Sequence, residues 1–434
     1  MKNNLLLITH HFLPYTPSFG QTARCYFMTK HFSKKYNVYV IAAEGIEYYG
    51  YHGKILSENT EIEYVHDENF RYNQPLVIPE GPKLSKIYYV IKVFGVKKLY
   101  ELLNNRIANN IKLDIYESVV SKFYREAISL IKRNNINTLI ISVPPISVLR
   151  ICSKLRKQFP DLKIILDYRD SWVVPTLLND NSFKGIRSRY FEKRAVQVAN
   201  GIVFISPSMK KAYDTHYSIF YKSVLLTNGF NSKLENNPTI ASNNNKSNVV
   251  KIGYFGKMHI GNRDYFRDIR KLFDFFSESD DNFNSHFRIE SYGYISGEYK
   301  KWEKVIPFKY CGSVETDKVQ NLMLEYDLLL LYHSEKIRAE EVLTSKIFEY
   351  LLAKKPIIVL GPKNMLDARH LIESNNLGMF IDIDDTNDMK KKFNELYQLT
   401  INGRLDSIYN KEFDVFRYDR NKINNNYIKF IESF

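Results

Sequence analysis

Two glutamates, Glu341 and Glu349, are the residues in this sequence best suited to chemistry. They stand eight positions apart, so at about 3.6 residues per turn they would face different sides of one helix. We therefore interpret Glu341 as a loop residue, with Glu340 as its rival, and Glu349 as a helix residue. Glu349 follows apolar neighbours, where an unpaired carboxylate is costly, so we expect it to be hydrogen-bonded. With the free helix N-terminus at 344–346, these acids could bind a sugar, a phosphate and a ribose.

Positive charge follows one of the predicted strands. Lys257 comes directly after Gly256, and Arg263 lies in the stretch that follows. A diphosphate that leaves in a reaction needs positive charge to stabilise it, and a glycine lets the chain approach such a ligand closely. We predict that Lys257 and Arg263 bind phosphate, and ordinary surface charge is the alternative.

A second charged pair, Arg169 and Asp170, follows a predicted strand that ends in Asp167. Trp172 lies two residues further on, and an aromatic ring beside charges is suited to binding a sugar. The alternative is a solvated ion pair next to a Trp that packs under a loop. Both interpretations stay open at this point.

Other signals for chemistry are weak. His10 and His11 follow the first predicted strand, but no carboxylate or cysteine stands near them at ligand spacing, so we interpret them as structural. Asp382 and Asp384 match the Asp-x-Asp pattern of some metal sites, but so short a pattern is frequent in proteins, and we do not assign a metal to it. We expect no metal and no cofactor.

Short apolar runs separated by helical stretches must position these residues, and they fall into two series on either side of a polar stretch at 231–248. The predicted strands are 5–9, 38–42, 139–143, 164–167, 202–206 and 224–227, then 250–255, 287–291, 308–311, 327–332, 356–360 and 379–383. This pattern predicts two doubly wound α/β domains at 1–230 and 249–410, with a closing helix in 411–434. Ligands bind such sheets at the carboxyl ends of the strands, where the candidate residues lie.

The composition is that of a folded protein with an affinity for anions. The 434 residues are 44% hydrophobic, include three cysteines and carry a net charge of +14. We expect a cytoplasmic protein that does not span a membrane. Lysines alternate with apolar residues over 83–98, which is typical of a segment on an anionic membrane surface, and an ordinary amphipathic helix is the alternative. We therefore also expect peripheral association with the inner face of the cell membrane.

Four blocks of sequence resemble those of family 4 glycosyltransferases with the GT-B architecture, and the resemblance runs over nearly the whole chain. The blocks are 17–24, 167–172, 224–231 and 341–349 with the Lys-Pro-Ile-Ile that follows. The resemblance implies two Rossmann-like domains facing across a cleft and transfer of a sugar from a nucleotide donor with retained configuration. It implies no metal.

The resemblance also implies roles for single residues. Glu349 would bind the ribose, and Glu341 with the backbone of 342–344, including Thr344, would face the donor sugar. Lys257 and Arg263 would neutralise the diphosphate, assisted by Lys346. Gly20, in the loop after the first strand, would approach the donor phosphates, while Arg169 and Asp170 would border the acceptor.

The function we expect is hexosyl transfer to a lipid-linked surface glycan intermediate, such as a capsule or O-antigen unit. A catalytically silent nucleotide-sugar-binding protein of the same fold is the main alternative. A sugar-nucleotide epimerase is a more distant one. Net charge alone suggests nucleic acid as a third alternative, and we do not expect it as a partner.

Overall fold

The computed structural model describes residues 2–16, 19–45, 58–67, 112–174, 176–231, 248–261 and 267–434. Two of the predicted features, Arg263 and the basic segment 83–98, lie outside these residues. The chain divides into two compact units. The first comprises Met1–Ile205, Met209–Leu226 and Asn424–Phe434, and the second comprises Ser206–Ser208 and Thr227–Ile423.

A parallel sheet forms the centre of the first unit, and its described strands have the order β3-β2-β1-β4-β5-β6-β7. The strands are β1 Asn3–Ile8, β2 Tyr36–Glu44, β3 Thr60–His66, β4 Thr138–Val143, β5 Lys163–Tyr168, β6 Gly201–Phe204 and β7 Ser223–Leu225. The α-helices are α1 Phe19–Phe32, α2 Val120–Arg133, α3 Cys152–Gln158, α4 Phe183–Val198 and α5 Pro207–Tyr217. The strand order reverses between β1 and β4, which makes their carboxyl ends the expected ligand side.

Burial explains why most of these strands were readable from the sequence and one was not. Every residue of β4 is buried, and four of its six residues are apolar, which is typical of a central parallel strand. Strand β3 lies at the edge of the sheet and carries Glu61 and Glu63. Arg133 pairs with both, at 2.6 and 3.5 Å. The sequence analysis missed β3 because an edge strand needs few apolar residues.

The second unit is also built on a parallel sheet, with the order β12-β10-β8-β13-β14-β15, and a small two-stranded sheet pairs β9 with β11. The strands are β8 Val250–Phe255, β9 Met258–His259, β10 Phe287–Tyr292, β11 Ile295–Ser296, β12 Phe308–Tyr310, β13 Leu328–Tyr332, β14 Ile357–Gly361 and β15 Gly378–Asp382. The α-helices are α6 Arg270–Ser277, α7 Asp281–Asn284, α8 Thr316–Met323, α9 Ser345–Leu352, α10 Leu366–Glu373, α11 Thr386–Ile401 and α12 Arg420–Glu432. The predicted fold class, two parallel α/β sheets, is confirmed.

The second sheet has a hydrophobic core on each face, because strand side chains alternate. In β13, Leu328 and Leu330 belong to one core, whereas Leu329 and Leu331 belong to the other. Helix α9 packs four buried side chains into this second core. The sheet order reverses between β8 and β13, so the residues that follow these two strands lie at the expected ligand side.

The end of the chain connects to both units. Within the second unit, Phe230 N donates to Tyr418 O at 3.1 Å, and Arg420 N donates to Phe230 O at 2.9 Å. Helix α12 begins at Arg420, and its residues from Asn424 onward belong to the first unit. There the Tyr427 ring packs edge-on against Phe32, with centroids 5.5 Å apart.

Candidate functional site

The segment that contains the two glutamates begins with a turn and ends in a helix. Glu341 closes the 3₁₀ turn Ala339–Glu341, and Glu349 lies in the second turn of α9. Thr344 is the N-cap of α9, but its side chain does not cap the helix. The Thr344 hydroxyl is buried and has no hydrogen-bond partner among the described residues. This helix N-terminus therefore offers backbone N–H groups and an unused hydroxyl.

Glu349 is a carboxylate that lies near positive charge and accepts no hydrogen bond from a described residue. Burial raises its pKa, and the positive charges of Arg420 and Lys346 act in the opposite direction. We expected the protein to hydrogen-bond this carboxylate, but no described residue donates to it. A carboxylate with unused acceptor capacity suits a ligand that brings its own hydroxyl groups.

Lys346 lies three residues before Glu349, on the same face of α9, and contacts strand β8. Its Nζ donates to Tyr254 Oη at 3.1 Å and lies 4.2 Å from the centre of the tyrosine ring. Burial lowers the pKa of Lys346 to well below its usual value, and repulsion from Arg267 lowers it further. A buried ammonium group under this electrostatic strain would gain from a bound anion.

Gly256 has surroundings that the sequence analysis did not predict. It follows β8 with φ of +142°, and a Cβ there would lie 2.3 Å from both Cε and Nζ of Lys346. A side chain at this position would strain the backbone at this φ and would also displace the flexible end of Lys346. The prediction that it gives room for a ligand does not account for this contact.

Arg267 is the basic residue that the sequence analysis missed. His259 N donates to Arg267 O at 3.0 Å, and Ile269 N donates to His259 O at 3.0 Å, so the segment at 267–269 lies alongside β9. The Arg267 charge lowers the pKa of Lys257, His259, Lys346 and His333. Since an effect of this kind requires proximity, Arg267 lies near all four of these basic groups. The only sequence signal was a basic residue in the loop after β9, and Arg263 and Arg267 both meet it.

Lys257 and His333 complete this basic cluster at the carboxyl ends of β8 and β13. Lys257 is exposed, and partial burial of its amine together with Arg267 lowers its pKa. The backbone carbonyl of Lys257 accepts a hydrogen bond from Tyr254 Oη at 2.6 Å. His333 is buried, and burial followed by Arg267 lowers its pKa to about 4, so its imidazole is neutral at pH 7.

The two neighbouring glutamates have different surroundings. Glu340 accepts a hydrogen bond from Asn364 Nδ2 at 2.8 Å, and the same Asn364 amide donates to the Lys336 carbonyl. Glu341 is largely buried, and Arg338 Nε lies 4.0 Å from its carboxylate. Glu340 therefore holds a loop in place, which leaves Glu341 as the better candidate for a ligand.

The charged residues after β5 are held by the first unit. The Arg169 guanidinium donates to Gln21 O and Pro144 O, each at 2.6 Å, and its buried Nε has no partner among the described residues. Asp170 is exposed. Trp172 is only 6% exposed and packs in the core, so its interpretation as a sugar platform is wrong and the packed alternative holds.

Gly20 lies in the first turn of α1, whereas the sequence analysis placed it in a loop. It is exposed, and a Cβ on it would meet no atom within 4 Å. The neighbouring Phe19 packs edge-on against Phe27, with ring centroids 5.8 Å apart. The protein itself therefore does not require glycine at this position.

Comparison with solved structures identifies the architecture. An Anabaena protein, Alr3699/HepE, in complex with UDP and glucose aligns over 100% of both chains with a TM-score of 0.59 and 14% identity. The lipopolysaccharide outer core galactosyltransferase WaaB aligns over 99% of both chains with a TM-score of 0.60 and 12% identity. The fold is that of a GT-B glycosyltransferase.

Further comparisons agree with the GT-B fold at the level of structure alone. An α,α-trehalose-phosphate synthase (UDP-forming) from Burkholderia vietnamiensis aligns over 100% of both chains with a TM-score of 0.57 and 8% identity. No protein-family model matches the chain, and no curated protein matches it in sequence.

The first unit also contains a buried His–Asp pair, and the sequence analysis, which interpreted His10 and His11 as structural, did not predict this carboxylate partner. His10 Nε2 and Asp67 Oδ2 are 2.8 Å apart, and both side chains are buried. Burial lowers the pKa of His10, and it lowers the pKa of His11 to about 2. Asp67 follows β3, so the pairing became visible only with the missed edge strand in place.

Two further observations concern the described part of the chain. Within it, no group of three or more His, Cys, Asp or Glu side chains is arranged to hold a metal ion. None of its helices combines the length and the apolar character that crossing a bilayer requires.

Proposed function

We propose that this protein transfers a sugar from a nucleoside-diphosphate donor to an acceptor. The observation that carries the proposal is the combination, in one unit, of the Glu349 carboxylate, the N-terminus of α9 and the basic cluster around Arg267. These groups match the three parts of such a donor. The similar structures include complexes with UDP and with UDP-glucose, which supports a uridine donor.

The proposed role of Glu349 is to accept hydrogen bonds from the two ribose hydroxyls. Its acceptor atoms are unused by described residues, and Arg420 and Lys346 favour its ionised form. Hydrogen bonds to a charged group contribute about 1.5–3 kcal/mol each, which is enough to orient a nucleotide.

The diphosphate is assigned to Lys257, Lys346 and Arg267. Positive charge in a partly buried site neutralises the departing group without a metal ion, which is the function that we propose for this cluster. The earlier assignment to Arg263 stays a prediction because this residue lies outside the described ranges. Arg267, which lies within the described residues, would supply the positive charge that the diphosphate needs.

The donor sugar is assigned to Glu341 and to the backbone of residues 342–344, where the Thr344 hydroxyl is available. By the family resemblance, we propose that Gly20 approaches the donor phosphates and that Arg169 and Asp170 border the acceptor. We also propose membership of family 4 and an acceptor that is a lipid-linked surface glycan intermediate, with a hexose as the transferred sugar.

The proposed reaction retains the configuration of the sugar. The bond between the anomeric carbon and the diphosphate oxygen breaks, and the acceptor oxygen forms the new bond on the same face. The acceptor proton passes to the departing diphosphate. Lys257, Lys346 and Arg267 stabilise the negative charge that develops there.

The experiment is a panel of UDP-, GDP- and dTDP-sugars incubated with the protein and with lipid-linked glycan acceptors. Release of the free nucleoside diphosphate is measured by chromatography, and the anomeric configuration of the product by NMR. We expect one donor to be consumed and the product to retain configuration. Binding without turnover under all conditions would indicate a catalytically silent protein, and an inverted product would contradict the family 4 mechanism.

A further inference from the structure

Helix α4 in the first unit carries an apolar stripe that faces solvent. Phe183, Ile186 and Tyr190 are 59%, 53% and 54% exposed. Their spacing of three and four residues places them on one face of the helix. Single exposed apolar residues are ordinary, but three in a row along one helix face form a patch.

Basic side chains lie among these apolar groups. Lys193 and Arg194 are exposed on the next turn of the same face. The Arg194 guanidinium lies 5.6 Å from the centre of the Tyr190 ring, and Arg187 lies 5.7 Å from that of Phe183. The helix has one acidic residue, Glu192, which is fully buried. The same helix has five basic residues, namely Lys184, Arg187, Arg189, Lys193 and Arg194.

Acidic groups close to the stripe are already engaged. Asp180 accepts hydrogen bonds from the backbone N–H and the hydroxyl of Ser182, at 2.8 and 2.9 Å. Glu117 is paired with Arg150 and, at 2.9 Å, with Arg187. The Glu117 charge is therefore compensated, and the single Asp180 carboxylate is outnumbered by the basic residues of α4, so positive charge dominates the exposed face.

The inner face of α4 holds the stripe rigidly. Glu192 accepts hydrogen bonds from the hydroxyls of Tyr213 at 2.8 Å, Tyr217 at 2.9 Å and Tyr168 at 3.3 Å. Ser182 caps the helix by accepting from Gly185 N at 3.0 Å. The exposed residues are therefore part of a fixed helix and not of a frayed end.

We propose that this face of α4 docks on an anionic lipid bilayer. The apolar side chains would enter the boundary between headgroups and acyl chains, while Lys193 and Arg194 contact the lipid phosphates. Charge complementarity favours this partner, because the protein carries a net charge of +14 and the face itself is basic. The inference is independent of the proposed reaction and of the segment 83–98.

The test is co-sedimentation of the full-length protein with vesicles of phosphatidylglycerol and phosphatidylcholine in equal amounts, and with vesicles of phosphatidylcholine alone. We expect binding to the anionic vesicles that weakens as salt is added. The triple substitution Phe183→Ser, Ile186→Ser and Tyr190→Ser should lower the partition coefficient by about tenfold or more. The double substitution Lys193→Glu and Arg194→Glu should lower it by a similar factor.

Matched controls come from the second unit. Val305 is 57% exposed, and Lys390 and Lys391 are adjacent exposed lysines on α11. Val305→Ser and the pair Lys390→Glu and Lys391→Glu should leave binding within about twofold of wild type. Circular dichroism and the thermal midpoint establish that each variant is folded.

A Tyr190→Trp variant gives a direct reading of insertion, because the new indole fluorescence should shift to shorter wavelength with anionic vesicles. Absence of binding by the wild-type protein, or equal losses in stripe and control variants, would overturn the proposal. So would a wild-type dimer that the triple substitution converts to a monomer, since the stripe would then join two copies of this chain.

Discussion

Replacing Lys346 by Met should stabilise the free protein and weaken nucleotide binding at the same time. The methionine side chain is similar in length and can pack on the Tyr254 ring in place of the lysine stem. The substitution loses the 3.1 Å hydrogen bond to Tyr254 Oη and the contact between Nζ and the ring. It removes the cost of burying an ammonium group next to Arg267.

The magnitude follows from these opposing contributions. The lost hydrogen bond and ring contact are each worth about 1 kcal/mol, whereas a buried and poorly compensated charge costs several kcal/mol. We expect the free energy of unfolding at pH 7 to rise by about 1 kcal/mol. UDP affinity should fall by about tenfold to a hundredfold, because one charged contact to the diphosphate is lost.

The pH dependence sharpens this test. Because the pKa of Lys346 is lowered in the folded state, the unfolded state binds more protons between that pKa and about 10.4. The wild-type protein therefore gains stability as pH rises through this window, by up to about 1.4 kcal/mol per unit. The Met variant should lack this gain, so its advantage of about 1 kcal/mol at pH 7 should vanish within about one pH unit, and the wild-type protein should be the more stable one toward pH 10.

The assays are urea denaturation at several pH values and calorimetric titration with UDP. Lys257→Met is the matched control, since Lys257 is exposed and belongs to the same cluster. It should weaken UDP binding and change stability by less than about 0.5 kcal/mol. A Lys346→Met protein that is less stable than wild type at pH 7, or that binds UDP equally well, would refute the reasoning.

Three further predictions concern neighbouring groups. Gly256→Ala should displace Lys346 and lower UDP affinity by about tenfold, which calorimetry measures, whereas unchanged affinity would show that the lysine tolerates the added carbon. Glu341→Ala should reduce the turnover of donor by at least about tenfold. Glu340→Ala should mainly lower the free energy of unfolding, by about 1 kcal/mol. If the two effects were reversed, Glu340 and not Glu341 would be the ligand-binding residue. Burial raises the pKa of Glu192 to about 7, so its stabilising contribution is complete below about pH 4 and is lost as pH rises to 7. In the wild-type protein this loss of stability amounts to about 3 kcal/mol, and urea denaturation of Glu192→Gln should show that most of it is absent. An equal loss in the variant would contradict the prediction.

The sequence predicted the parts of the fold and site that depend on local pattern. Central strands such as β4 were readable because both of their faces are buried. The division between a turn at Glu341 and a helix at Glu349 followed from helical spacing. Edge strand β3 was missed because its alternating glutamates resemble a loop, and the partner of His10 was missed with it.

The remaining differences arose from contacts that local sequence does not encode. Arg267 belongs to the basic cluster because backbone hydrogen bonds to His259 bring the end of a loop alongside β9. A Cβ at Gly256 would contact the end of Lys346, which lies 90 positions later in the sequence. Trp172 is buried because the first core closes over it, although its polar neighbours suggested an exposed ring.

The central claim is that the second unit binds a nucleoside diphosphate with Glu349 on the ribose and the Arg267 cluster on the phosphates. Calorimetric titration of UDP into the wild-type protein and into Glu349→Ala tests it most directly. We predict that the wild-type protein binds UDP and that the variant, with its fold intact, binds more than about tenfold more weakly. Equal affinities, or no binding of any nucleoside diphosphate by the wild-type protein, would contradict the claim.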